Sequence, residues 1–176
     1  MKITYKILLF SLILTHFSCE NGKGVLGEAA TYDQTEFLKN ISEEIILPSL
    51  SQLKDALDEL KNEVDQLVIQ PQEAQLEATR VALFQARLAW QAVQPFAFGP
   101  MLTHNLQGTF SIYPADVQQI ERNIVEGTYD LNAISNLDAK GFQALGYLLY
   151  ESAEAETSNL MIEEPRQDYL VAIVQQ

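Results

Sequence analysis

Cysteine is almost missing from this 176-residue chain: Cys19 is the single one, so no disulfide can close within it. Histidine is nearly as scarce, with only His16 and His104, whereas a catalytic zinc typically takes three protein ligands and keeps a fourth position open. No serine sits in a Gly-x-Ser-x-Gly elbow, which removes that class of nucleophile. No apolar run approaches the roughly 20 residues that cross a bilayer as a helix, and no alternation of period two is sustained, so strands are not expected. Basic residues are few, 11 Lys and Arg against 24 Asp and Glu, for a net charge of −13. That balance excludes nucleic acid and anionic surfaces as partners. It is compatible with cation binding, although a solvated acidic surface explains it more simply.

What is present begins with an export signal over residues 1–18. Lys2 and Lys6 form a positive start, Ile7 to Leu14 is nearly all apolar, and the small Ser18 precedes Cys19. The arrangement resembles a bacterial lipoprotein cleavage site, with Cys19 as the lipidated first residue of the mature protein and the membrane as a partner through it. His16 and Phe17 depart from the usual aliphatic and small residues of that site, and the alternative is a secreted protein with a free thiol. Two or more acyl chains hold a protein on a membrane where one does not. Residues 19–32, small, polar and glycine-bearing, read as a flexible tether. The domain proper is expected over 33–176, long enough for one sizeable core.

Within it the apolar positions recur at helical spacing. Asp33 or Thr35 caps a long helix whose stripe is Phe37, Ile41, Ile45, Leu50, Leu53, Leu57, Leu60, Val64 and Leu67, with a kink or boundary near Ile46 and Leu47 before Pro48. After a turn at Gln70 to Gln72, a second helix runs from about Pro71 to Val93, with Leu76, Val81, Phe84, Leu88 and Ala92 expected on its inner face and Trp90 near its end. Arg80 and Arg87, seven apart, stand two turns apart on one side; a solvated or salt-bridged stripe is the first reading, anion binding the second. Pro114 is expected in the first turn of a shorter helix, and Pro165 opens the last, with Tyr169, Leu170, Ile173 and Val174 apolar. The fold class is all-α: an up-and-down bundle of four principal helices and a short one, with long connections around 97–113 and 126–139.

Three local patterns, in this order, carry a resemblance: Phe96-x-x-Gly99-Pro100; Tyr113-Pro114 followed by Ile120-Glu121-x-Asn123-Ile124; and Gly141 leading to Tyr147-Leu148-Leu149-Tyr150. Together they resemble the imelysin-like family of bacterial envelope proteins, also classed as M75 peptidases. In that family the signature helix, which the third pattern matches, carries Gly-x-His-x-x-Glu. Here Gly141 remains, but Gln143 stands at the His position and Gly146 at the Glu position. Residues three apart share a helix face, so a His and Glu there could hold one metal ion or one proton-transfer pair; a neutral amide and a bare backbone cannot. The family's acidic residue around Gln94 and Pro95 is also absent. Full domains of the family are about twice this length, so the chain is expected to cover the first half.

The resemblance implies a non-catalytic lipoprotein of the bacterial cell envelope, anchored by lipid at the outer membrane on its periplasmic or surface face, with a binding role in iron, metal or haem acquisition. An M75-type metallopeptidase is the alternative, and a structural or protein-interaction module, with Phe96, Phe98, Phe110 and Tyr113 as its contact surface, is another. Iron or a second divalent metal is the cofactor class this implies, though none is required by the sequence, and the partner would be such a ligand or an envelope protein. The candidate ligands are His104, Asp116 and Glu121, with Glu126 further off. His104 in a loop more simply serves as a surface or hydrogen-bonded residue.

Overall fold

The computed structural model describes residues 33–150 and 163–176. Two compact units divide between Phe37 and Leu38, and of the first only residues 33–37 are described. There the Asp33 carboxylate accepts hydrogen bonds from the backbone N–H groups of Thr35 and Glu36 at 2.9 and 3.3 Å, the cap expected for helix α1 (Gln34–Ile41).

A single π turn, Ser42–Ile46, follows, and α2 (Leu47–Ile69) starts with Pro48 in its first turn. The boundary read at Ile46 and Leu47 is therefore there. Proline has no N–H to give to the ladder, and the first turn is where none is needed. The turn through Gln70 leads to α3 (Glu73–Val93), packed antiparallel on α2. Thr79 is fully buried at that seam, and its hydroxyl donates toward the carbonyls of Glu63 and Gln75 at 3.1 and 2.9 Å.

The inner face of α3 differs from the expected one. Leu76, Thr79, Ala82, Leu83, Ala86, Trp90 and Val93 are buried, whereas Val81, Phe84 and Leu88 are exposed. Small side chains at 79, 82 and 86 let α2 and α3 approach closely, and the two-sided apolar pattern of α3 gives its larger residues to the outer face. On α2 the stripe is buried at Leu53, Leu60, Val64 and Leu67, while Leu50, and Ile45 in the π turn before it, lie open.

The segment expected as one long connection contains α4 (Pro100–Thr103) and α5 (Leu106–Phe110). Gly99 enters α4 at φ +56°, a conformation that glycine adopts without strain. Phe110 turns inward, its ring 4.9 Å from Trp90 and 5.6 Å from Phe142, while Phe98 and Tyr113 stay exposed. Helix α6 (Val117–Glu126) is capped by Asp116, whose carboxylate accepts from the Gln119 N–H at 2.9 Å, and Gly127 ends it at φ +64°. Pro114, in a cis peptide bond, thus lies ahead of the helix rather than in its first turn; the aspartate satisfies the orphan N–H that the proline was expected to make unnecessary.

After a turn at Ile134–Asn136, α7 (Gly141–Tyr150) and α8 (Glu164–Val174) close the bundle. Tyr169, Leu170 and Ile173 of α8 and Phe142, Ala144, Leu145, Leu148 and Leu149 of α7 enter one core with Leu60, Val64, Leu67, Leu83 and Ile120. Each fully buried leucine contributes about 1.5–3 kcal/mol of transfer free energy. The fold is all-α, with no strand among the described residues.

Candidate functional site

Helix α7 begins where no residue but glycine fits. Gly141 has φ +72°, and a Cβ on it would run into the carbonyl oxygens of Thr109 and Phe110 at the end of α5. From that anchored start the apolar residues of α7 face the core, leaving Gln143, Gly146, Tyr147 and Tyr150 beside an open cleft of about 440 Å³ whose other walls are Arg87, Pro114, Ala115 and Val117. A second, more polar cavity of about 230 Å³ is lined by Arg87, Trp90, Gln91, Gln94, Ser111 and Gln143, with Phe142. Arg87 and Gln143 border both.

Two arginines of α3 reach α7. Arg80 donates from Nε to the Leu149 carbonyl at 2.8 Å, pairs with Glu77, and stands 4.9 Å from the centre of the Tyr150 ring. Arg87 donates from Nη2 to the Phe142 carbonyl at 2.5 Å. Unlike Arg80, it forms no ion pair among the described residues, and its buried Nε–H has no acceptor. Burial lowers its pKa from the ordinary arginine value, but a guanidinium starts so high that it stays charged at neutral pH. One turn further along α3, Trp90 is 3% exposed and its indole N–H also lacks an acceptor.

The arginine explains the state of the motif helix. A Cβ at Gly146 would lie 2.6 Å from Arg87 Nη2, so the guanidinium occupies the space that a side chain at that position would enter. The pair implied by the family pattern is replaced by Gln143, whose amide makes no hydrogen bond among the described residues, and by a positive charge laid against bare backbone. At about 4 Å, and with the effective dielectric of a protein surface, that charge opposes a cation by about 4 kcal/mol per unit of cation charge.

The other candidate ligands lie apart from this helix face or are engaged. His104 is exposed at the end of α4. Asp116 is the cap of α6. Glu121 accepts from the Tyr147 hydroxyl at 2.7 Å and from Arg166 with both oxygens at 2.9 Å, tying α6 to α7 and α8. Glu126 ends α6. Among the described residues no three His, Cys, Asp or Glu side chains form a group that could hold a metal ion. Cys19 lies outside the described residues. Of the side chains at the cleft, the sequence had singled out Gln143 and Gly146 as a pair and Arg87 only for its spacing from Arg80; that Arg87 meets the motif helix is a contact across 55 residues of chain that no local pattern encodes.

Known proteins place the chain. Iron-regulated protein A of Synechococcus elongatus is 23% identical over 133 residues, which is 76% of this chain and 36% of that protein. A crystal structure from Parabacteroides distasonis, described as an iron-regulated protein A precursor, superposes with a TM-score of 0.64 at 19% identity, covering 74% of this chain and 38% of that one. The chain thus spans a little over a third of the length of each. The sequence profile of imelysin, peptidase family M75, matches residues 46–176, and by that match over most of its length the chain belongs to the imelysin family.

Proposed function

We propose that this protein is a non-catalytic imelysin of the bacterial cell envelope, anchored by lipid at Cys19, that serves iron or haem acquisition by binding rather than by hydrolysis. One observation carries the non-catalytic part: the Arg87 guanidinium lies 2.6 Å from where a Cβ of Gly146 would be. A metal-activated water needs an open coordination site on a bound metal ion, and here the motif helix presents an amide, a glycine and a fixed positive charge. The names of the two relatives, both iron-regulated protein A, support the link with iron. The sequence around Cys19 supports the anchor.

The test has two arms. The whole chain is incubated with an unstructured protein substrate in the presence of Zn(II) or Fe(II), and a strain lacking the protein is grown with limiting iron. Absence of hydrolysis together with impaired growth is the expected result. Hydrolysis that a chelator abolishes would overturn the non-catalytic assignment, and unimpaired growth would overturn the link with iron.

A further inference from the structure

The open cleft along α7 sets an uncompensated cation among apolar walls. We propose that it binds a small molecule carrying one carboxylate on an aromatic or aliphatic body, with the carboxylate against the Nη1 edge of the Arg87 guanidinium.

Two contacts fix that guanidinium on the cleft side of α7. Nη2 donates to the Phe142 carbonyl at 2.5 Å, and Nη2, Cζ and Nη1 lie 2.6, 3.6 and 3.8 Å from where a Cβ of Gly146 would be. Gly146 borders this cleft and not the smaller cavity, so the edge of the guanidinium beside it belongs to the cleft. Nε is closed off from solvent and takes no part. Nη1 has no acceptor among the described residues and is not closed off in that way, which makes it the donor that a ligand in the cleft can reach. Gln143 stands next to it: it follows Phe142, whose carbonyl holds the arginine, and shares a helix face with Gly146 three residues on. Its amide also makes no hydrogen bond among the described residues. A carboxylate accepts from both, and its bond to a guanidinium is charge-assisted.

The rest of the lining selects the other end of the ligand. No acidic side chain borders the cleft, and Pro114, Ala115, Val117, Tyr147 and Tyr150 make up its walls. The Tyr147 hydroxyl is engaged by Glu121 at 2.7 Å, and Val117 and Tyr150 are exposed, so apolar surface is left there for a ligand to cover. The volume, about 440 Å³, lies in the roughly 300–1,000 Å³ range of small-molecule sites, which are mostly apolar with a few placed polar groups. One positive charge balances one carboxylate, whereas a polyanion would keep excess charge against a protein of net charge −13. The site needs neither a metal ion nor the lipid anchor, so it stands or falls apart from the link with iron.

The whole chain is titrated by calorimetry with sodium benzoate, phenylacetate and octanoate at constant ionic strength, and in parallel with acetate and the neutral benzamide. At least one of the first three is expected to bind one-to-one and more tightly than about 1 mM, with acetate and benzamide about tenfold weaker or more. Arg87→Gln should weaken that binding about tenfold or more, while Arg122→Gln, at an exposed arginine outside the cleft, leaves it within about twofold. Val117→Glu adds a carboxylate to the wall at the first position of α6, where an acidic residue suits the helix. It should weaken binding as strongly, and it decides the matter if Arg87→Gln fails to fold. The proposal is overturned if none of the three acids binds more tightly than about 1 mM, if acetate or benzamide binds as well as they do, or if Arg87→Gln and Val117→Glu bind as the natural protein does.

Discussion

Asn123 on α6 donates a hydrogen bond from its amide to the Tyr169 hydroxyl on α8, 3.0 Å away and 46 residues further along the chain. The same amide nitrogen donates to the Asn136 side-chain oxygen at 2.9 Å, and the Tyr169 hydroxyl donates a hydrogen bond to the Ala139 carbonyl at 2.6 Å. All three side chains are buried. One network thus joins α6, the connection before α7, and α8. Tyr169→Phe removes the hydroxyl without changing the ring, leaving the Ala139 carbonyl and one Asn123 N–H without partners. A loss of about 1–3 kcal/mol in unfolding free energy is expected, measured by urea denaturation.

The same tyrosine sets a limit on the alkaline side. Burial raises the Tyr169 pKa above the ordinary value of 10.0, with a smaller opposing effect from the Asn123 hydrogen bond, and burial raises that of Tyr129 as well. A raised folded-state pKa means that the native state holds its proton longer than the unfolded chain does. The stabilisation is complete below the unfolded value and is lost as pH rises through the folded one. Melting temperature should therefore fall as pH climbs past about 10, and Tyr169→Phe should flatten that fall. An equally steep decline in the variant would show that other groups cause it.

Gly141 makes a sharper demand. Its φ of +72° and the carbonyls of Thr109 and Phe110 against it leave no space for a methyl group. Gly141→Ala is expected to cost about 2 kcal/mol or more, combining left-handed backbone strain with displaced backbone. Denaturation of the variant tests this, and a cost under about 0.5 kcal/mol, the range of ordinary surface changes, would contradict the contact.

Gly146 behaves differently, because its neighbour is the end of a long side chain. Gly146→Ala gains about 1 kcal/mol of helix propensity and pushes the Arg87 guanidinium off the Phe142 carbonyl, a charged hydrogen bond worth about 1.5–3 kcal/mol. A small net destabilisation is expected. Restoring the family pair as Gln143→His with Gly146→Glu should give little zinc affinity on its own, since the new carboxylate meets Arg87 first. Adding Arg87→Gln should release it, and calorimetric titration with Zn(II) separates the double from the triple variant.

Much of the architecture was legible because it is local. Asp33 marked the cap of α1, Pro48 the start of α2, and Pro165 the first turn of α8. The spacing of Leu53, Leu60, Val64 and Leu67 gave the buried side of α2. Periodicity failed on α3, where it favoured the large residues Val81, Phe84 and Leu88 over the small ones that allow α2 to pack closely. It could not show that Phe110 turns in toward Trp90, or that Asp116 rather than Pro114 prepares α6. The candidate site was legible only as a substitution: Gln143 and Gly146 stood out against the family pattern. Its positive charge arrives from another helix, by a contact whose existence depends on how α3 and α7 cross.

The crossing itself is indexed. Arg80 holds the carbonyl of Leu149 and Arg87 that of Phe142, so two donors seven residues apart on α3 engage two acceptors seven residues apart on α7, running in opposite senses. The pair works like two pegs in two holes. A slip of α7 along α3 by one residue rise, about 1.5 Å, misaligns both pegs together, whereas a tilt about either one leaves the other free to open. Sliding is thereby suppressed in favour of pivoting, and the register between the two helices is kept.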